Sequence, residues 1–139
     1  MNLLAVRDLT KRFGGVHALA DVTFSVDEGE VLGIIGPNGA GKTTLLNCIS
    51  GLSRLDGGDI RWDDTSISGL APHRIARLGI GRTFQIVRPF PSMTGRENTA
   101  MGALFGQPQG RLQPHEAQKQ ADEVLELVGL CEKREVPVL

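Results

Sequence analysis

The stretch Gly36-Pro37-Asn38-Gly39-Ala40-Gly41-Lys42-Thr43 follows the apolar run Val31-Leu32-Gly33-Ile34-Ile35 and leads into Thr44-Leu45-Leu46. It fits G-x-x-x-x-G-K-[ST], a strand-to-helix loop whose backbone cradles phosphate. The glycines let the chain curl so that successive N–H groups point inward at phosphate oxygens, where a side chain would block them. Lys42 supplies a compact positive charge for β- and γ-phosphates, and the Thr43 hydroxyl is placed to ligate Mg²⁺ beside them. The helix opened by the loop adds the positive end of its dipole to the same site. A nucleotide carrying Mg²⁺ is the ligand this arrangement implies.

Working outward, the run Val31 to Ile35 reads as a central strand covered on both faces, the usual placement of a parallel strand. On its N-terminal side, Leu3 to Phe13 and Ala18 to Val26 flank Gly14-Gly15, and Val22, Phe24 and Val26 alternate with Thr23 and Ser25, which predicts an antiparallel pair with one half-buried face. On its C-terminal side, a helix is expected from about Lys42 to Ser50, with Leu45, Leu46 and Ile49 on its apolar side and Gly51 as a stop. Gly57-Gly58 turns into a short strand, Asp59 to Trp62, and Asp63-Asp64 begins another turn. Pro72 and Gly79 frame a short helix, and Ile80 to Phe84 reads as a further strand ending at Gln85. That position suits a ligand contact, because open α/β sheets bind beyond the carboxyl ends of their strands.

From Ile86 the character changes. Arg88-Pro89-Phe90-Pro91 breaks regular structure, and Thr94 with Glu97 forms the start signal of a helix running to about Leu104. A glycine, proline and glutamine stretch leads to Pro114, and a last helix places Ala117, Ala121, Val124 and Val128 on one stripe before Gly129.

With 139 residues, the chain has room for one domain with a real core. Its 15 Lys and Arg are scattered and matched by 16 acids, for a formal charge of -1, so nothing electrostatic favours nucleic acid. Cys48 and Cys131 fit no metal-ligand spacing and read as packed or free thiols of a reducing compartment. The N-terminus turns charged at Arg7-Asp8, too soon for a secretory h-region, and no apolar run approaches the roughly 20 residues needed to span a bilayer. A cytoplasmic protein is expected, with any membrane association made through a partner.

The order of features carries a resemblance. Lys11-Arg12-Phe13-Gly14-Gly15, then Ala18-Leu19-Ala20-Asp21-Val22-Thr23-Phe24, then the phosphate loop, then Thr83-Phe84-Gln85 resemble the nucleotide-binding subunit of an ABC transporter over essentially the whole chain. Gly79 to Gln85, followed by Arg88, Phe90, Met93-Thr94 and Glu97-Asn98, is similar to the importers of branched-chain amino acids. The resemblance implies an α/β P-loop NTPase of ABC type, incomplete at the C-terminus. Residues 1–30 would form its antiparallel β subdomain, 31–85 its parallel P-loop core, and 86–139 the Q-loop and the start of the helical subdomain. It also implies ATP and Mg²⁺ as cofactors, a second ATP-binding subunit in a head-to-tail dimer, and permease subunits contacted through 85–104. The subunit would then sit on the inner face of the cell membrane.

Residue by residue, Phe13 matches the aromatic that stacks on adenine, a role suited to a flat apolar ring at a strand end. Val16 matches a residue lining base and ribose. Asn38, Gly39, Ala40, Gly41, Lys42, Thr43 and Thr44 correspond to the phosphate loop, with Lys42 also in a catalytic role. Gln85 matches the Q-loop glutamine, catalytic and metal-binding, whose neutral amide can ligate Mg²⁺, orient water and release with the γ-phosphate. Phe90 and Met93 suit docking of a partner helix in a groove. Gly95 departs from the β-branched residue usual between the matching Thr and Glu, which implies a looser helix start.

Hydrolysis in this family also needs a Leu-Ser-Gly-Gly-Gln-type signature, a Walker B strand ending in Asp and a catalytic Glu, and a switch His, none of which stands in this sequence. Val136-Pro137-Val138-Leu139 resembles the approach to the signature. The Walker B strand would lie against Val31–Ile35, so its absence implies an unpaired edge there. The reading is therefore the N-terminal part of an ABC importer ATPase, expected to bind nucleotide without hydrolysing it. The alternative is a non-catalytic nucleotide-binding or regulatory module that pairs with a complete subunit. An ABC-type ATPase of DNA repair or translation is disfavoured by the balanced charge.

Overall fold

The computed structural model describes residues 2–106 and 112–138, so part of the glycine, proline and glutamine stretch ahead of Pro114, and Leu139 at the chain end, lie outside the described residues. The chain divides into two compact units, Met1–Ile75 and Ala76–Leu139.

In the first unit, β1 (Asn2–Phe13) and β2 (Val16–Asp27) form the expected hairpin, and β3 (Gly57–Trp62) and β4 (Thr65–Ser66) extend it into an antiparallel sheet of order β2-β1-β3-β4. The alternation read in β2 is observed, with Val22, Phe24 and Val26 half-buried between exposed neighbours. β1 departs from strict alternation: Val6 and Leu9, three residues apart, are both fully buried. An irregularity at Asp8, which adopts φ 49, resets the pleat between them. The Asp8 N–H donates to Thr23 Oγ1 at 2.9 Å, which satisfies the backbone where the ladder is interrupted. Each of the two side chains contributes roughly 1.5–3 kcal/mol by leaving water, enough to favour the kinked strand over a regular one.

α1 (Lys42–Ile49) begins where the phosphate loop ends and buries Leu45, Cys48 and Ile49. Leu46, assigned to the apolar face from sequence, is 45% exposed, and Cys48 occupies its place. Burial pushes the Cys48 thiol up, so it packs as a protonated, inert group. Ser50 and Gly51 close the helix, Gly51 N–H donating to the Cys48 carbonyl at 3.1 Å. α2 (Pro72–Arg77) seats Ile75 in the interior, where Ile60 and Ile67 are also buried.

Two expected strands are not strands. Residues 31–35 pair with nothing among the described residues, and Val31 and Ile35 are 95% and 94% exposed. A parallel strand takes its hydrogen bonds and its cover from neighbours on both sides, and all described strand pairing is antiparallel and elsewhere. The parallel layer expected for 31–85 is thus not formed among the described residues. Residues 80–84 are likewise irregular and ladder-free.

In the second unit, α3 (Gly95–Phe105) starts at Thr94 with a full capping box: Thr94 Oγ1 accepts from Glu97 N–H at 3.2 Å, and Glu97 Oε2 accepts from Thr94 N–H at 2.7 Å. α3 packs against α4 (Pro114–Leu127) through Ala100, Ala117 and Ala121, small residues that let the helices approach closely. The apolar stripe read on α4 needs correction beyond Ala121. Leu125 is buried, while Val124 and Val128 are 46% and 58% exposed. The row 117, 121, 125 inclines around the helix as an i±4 ridge does. Leu125 is then covered by the segment after α4, whose Leu130 N–H donates to its carbonyl at 2.7 Å and whose Val136 lines the same cleft.

Gly95 also reverses its expectation, for the helix start is braced. Its N–H donates to the Val136 carbonyl at 3.0 Å, Arg96 N–H donates to the Arg134 carbonyl at 2.9 Å, and Thr94 bridges to Pro137. A Cβ on Gly95 would stand 2.8 Å from the Lys133 carbonyl oxygen, so glycine is what admits the returning chain. Arg96 ties the same corner, 2.8 Å from Asp122 and 2.7 Å from Glu135.

Candidate nucleotide site

The phosphate loop sits between β2 and α1 of the first unit. Gly39 and Gly41 adopt φ 85 and 87, the left-handed region that only glycine enters at little cost. Ala40 N–H donates to the Pro37 carbonyl at 3.2 Å, closing the turn, and Leu45 N–H donates to the Gly41 carbonyl at 2.8 Å, beginning α1. Gly41 is pressed against β2: a Cβ there would lie 2.5 Å from the Ala18 carbonyl oxygen and 3.0 Å from Leu19 Cδ2. Lys42 Nζ donates to the Gly36 and Pro37 carbonyls at 2.6 and 2.7 Å, which commits two of its three donors and holds the ammonium over the loop. Asn38, Gly39, Ala40 and Thr43 are exposed, and Lys42 and Thr44 are half-buried. Glycine-enabled curvature, a positive charge at the loop and a helix start behind it fit a phosphate chain.

The other expected contacts lie at the tip of the β1–β2 hairpin. Phe13 pairs with Val16 across the Gly14-Gly15 turn, and the two are 54% and 69% exposed. Two apolar side chains left open at a hairpin tip are a surface on which a flat ring can lie. Val16 is two residues along β2 from Ala18, the residue against which Gly41 packs, so about 7 Å of strand connects the tip to the loop. The folded unit thereby brings together residues that the sequence separates by more than twenty positions. Below the tip, Lys11 Nζ stands 5.2 Å from the centre of the Phe13 ring and 3.2 Å from Asp56 Oδ2, which also accepts from Arg12 N–H at 2.6 Å. Sequence reasoning missed Asp56, since nothing local marks a carboxylate that acts 44 residues away.

Gln85 belongs to the second unit, exposed within an irregular segment rather than at the end of a strand. Beyond it, Asn98 organises the loop ahead of α3. Its Nδ2 donates to the Phe90, Met93 and Thr94 carbonyls at 3.1, 3.2 and 3.0 Å, and its Oδ1 accepts from Phe90 N–H at 2.8 Å. This clasp fixes a turn of which Phe90 is 51% exposed and Met93 half-buried. Asn98 was noted from sequence only as part of a pattern, and its four bonds give it a structural task. No described helix is long and apolar enough to cross a membrane.

A family model described as ABC transporter matches residues 19–138. The high-affinity branched-chain amino acid transport ATP-binding protein BraF of Pseudomonas aeruginosa is 44% identical over 141 residues, covering 94% of this chain and 55% of its own length. The corresponding LivG protein of Salmonella typhimurium is 40% identical with the same coverage. Among solved structures, an ATP-binding cassette of an ABC transporter in its ADP conformation superimposes with a TM-score of 0.84 at 32% identity, over 99% of this chain and 57% of that one. A nucleotide-free cassette gives 0.81 at 31% identity. The chain spans about half the length of the curated relatives it matches. It belongs to the ABC transporter ATP-binding family, and its fold is part of the ABC-type P-loop cassette.

Proposed function

We propose that this chain is the nucleotide-holding part of an ATP-binding subunit that energises import by an ABC transporter, with branched-chain amino acids as the solute class. The packing of Gly41 against Ala18 carries the reading, because it sets a phosphate loop and an exposed Phe13–Val16 tip on one short stretch of β2. Gly39, Gly41, Lys42 and the neighbouring Asn38, Ala40 and Thr44 hold the phosphates. Phe13 and Val16 receive adenine and ribose. Thr43, exposed on the first turn of α1, would ligate Mg²⁺, a role that the Q-loop match assigns separately to Gln85, and the ion would supply charge neutralisation to the phosphates. The solute class is supported by the relatives, which are named as branched-chain amino acid transport proteins.

The stretches 1–30, 31–85 and 86–139 act in this reading as parts of one nucleotide-binding domain. A second ATP-binding subunit and membrane-spanning permease subunits are its partners, the latter meeting the exposed Phe90 turn and holding the subunit at the inner membrane face. Carboxylate and signature elements that this family uses for hydrolysis are not in this sequence, so the 139-residue chain binds Mg-ATP and turns it over at background. Titration calorimetry of wild type against Lys42→Ala tests both halves. Binding should weaken at least tenfold in the variant, as loss of a charge-assisted phosphate contact demands. Equal affinities would refute the phosphate assignment, and turnover that disappears in Lys42→Ala would refute the catalytic incompetence.

A further inference from the structure

We propose that Lys11 and Asp56 are positioning residues for the base contact of Phe13: the carboxylate fixes the Lys11 ammonium against the ring and so presents Phe13 to an electron-rich flat base such as adenine. The inference rests on the reading of Phe13 as the base-stacking residue.

Four observations combine. Lys11 Nζ lies 5.2 Å from the Phe13 ring centre, within cation–π range. The Lys11 side chain is only 12% exposed although Phe13 is 54% exposed, so the ammonium is a fixed feature beneath an open ring. Asp56 holds it with both oxygens, at 3.3 Å through Oδ1 and 3.2 Å through Oδ2. Asp56 is itself fixed to β1, its N–H donating to the Thr10 carbonyl at 2.9 Å and its Oδ2 accepting from Arg12 N–H at 2.6 Å. The Arg12 N–H also keeps the carboxylate ionised below its usual range, so the charge pair persists at every neutral pH.

An exposed ion pair by itself contributes little to stability. This one instead determines where a cation sits relative to an aromatic ring. A cation on one side of a ring draws electron density from it and favours stacking of an electron-rich heterocycle on the opposite side. Stability and base affinity should therefore respond differently to its removal.

The test compares Mg-ATP with magnesium tripolyphosphate on the 139-residue chain, because the ratio of the two affinities isolates the base. Phe13→Ala should reduce that ratio roughly tenfold, as loss of a base–aromatic stack does. Lys11→Met and Asp56→Asn should each reduce it roughly two- to fivefold, with tripolyphosphate affinity unchanged. Lys11→Arg should restore it, and Lys11→Met should add nothing in a Phe13→Ala background. Melting by circular dichroism checks that each variant folds, and should Asp56→Asn not fold, Lys11→Met decides. An unchanged ratio in Phe13→Ala removes the stacking reading and this inference with it. A reduced ratio in Phe13→Ala but not in Lys11→Met overturns the inference alone. Equal weakening of both ligands in Lys11→Met also overturns it, because the cation would then be acting on phosphate charge.

Discussion

Gly41→Ala tests the contact that joins the phosphate loop to the hairpin. Two penalties act on the new Cβ. At φ 87 a non-glycine residue sits in the left-handed region at about 1–2 kcal/mol. The methyl group would also lie 2.5 Å from the Ala18 carbonyl oxygen, where real Cβ atoms essentially never come under 3.0 Å, so one side must withdraw by at least 0.5 Å. Ala18 lies in β2 between His17 and Leu19, which pair with Arg12 and Lys11 of β1, and Leu19 is 6% exposed, which makes the strand the stiffer side. The loop then gives way, and a further penalty of about 1–3 kcal/mol follows from the crowding. Urea unfolding monitored by circular dichroism should show a midpoint lower by about 1 M or more, given slopes of about 1–3 kcal/mol/M. Loop retreat would appear in parallel as weaker tripolyphosphate binding. Gly29→Ala is the control: Gly29 also has positive φ, at 76, but a Cβ there meets nothing within 4 Å, so only the backbone penalty applies. If Gly41→Ala unfolds no more readily than Gly29→Ala and binds tripolyphosphate like wild type, the packing argument is wrong.

Two further perturbations probe features away from the loop. Hydrogen bonds from the Ser66 and Ser68 hydroxyls, with help from Arg61, lower Asp59 from 3.8 to about 2. The folded value lies below the unfolded one, so the stabilisation is complete above about pH 4 and is lost as pH falls toward 2. Urea midpoints of wild type and Asp59→Asn should differ at pH 6 and converge towards pH 2, and a difference independent of pH would sink this account. In the second unit, Gly95→Val should lower stability by about 1–3 kcal/mol, read as a lower urea midpoint, since even the first carbon of the side chain would stand 2.8 Å from the Lys133 carbonyl oxygen. A more stable Gly95→Val would instead vindicate the family-based view that glycine loosens this helix.

What was legible in the sequence is what neighbouring residues decide. The Gly14-Gly15 turn, the Thr94–Glu97 capping box and the Gly51 stop each depend on side chains or glycines within four positions of the backbone they serve, and each stands where the sequence placed it. The phosphate loop was legible for the same reason, its curvature being written in its own glycines. The β-bulge at Asp8 was not, because Asp8 is stabilised by Thr23 across the sheet. The buried row of α4 was misread at Val124 for a related cause. Periodicity gives an apolar stripe, but the cover on Leu125 comes from residues after the helix.

The largest discrepancy, residues 31–35, follows from the same distinction and bears on the site. The run has the composition of a buried strand, yet Val31 and Ile35 are almost fully exposed and no described strand lies beside it. Composition specifies what a segment would do if neighbours were supplied, and cannot supply them. The phosphate loop nevertheless keeps its form directly after this segment, because its anchors lie on the other side: Gly41 against Ala18, Leu45 in the interior and the Lys42 ammonium on the carbonyls of Gly36 and Pro37. The loop therefore draws its shape from the hairpin and α1. Phosphate binding should accordingly survive changes within 31–35 better than changes at Ala18, Leu19 or Gly41, which places the physical foundation of the site in β2 rather than in the apolar run that first identifies it.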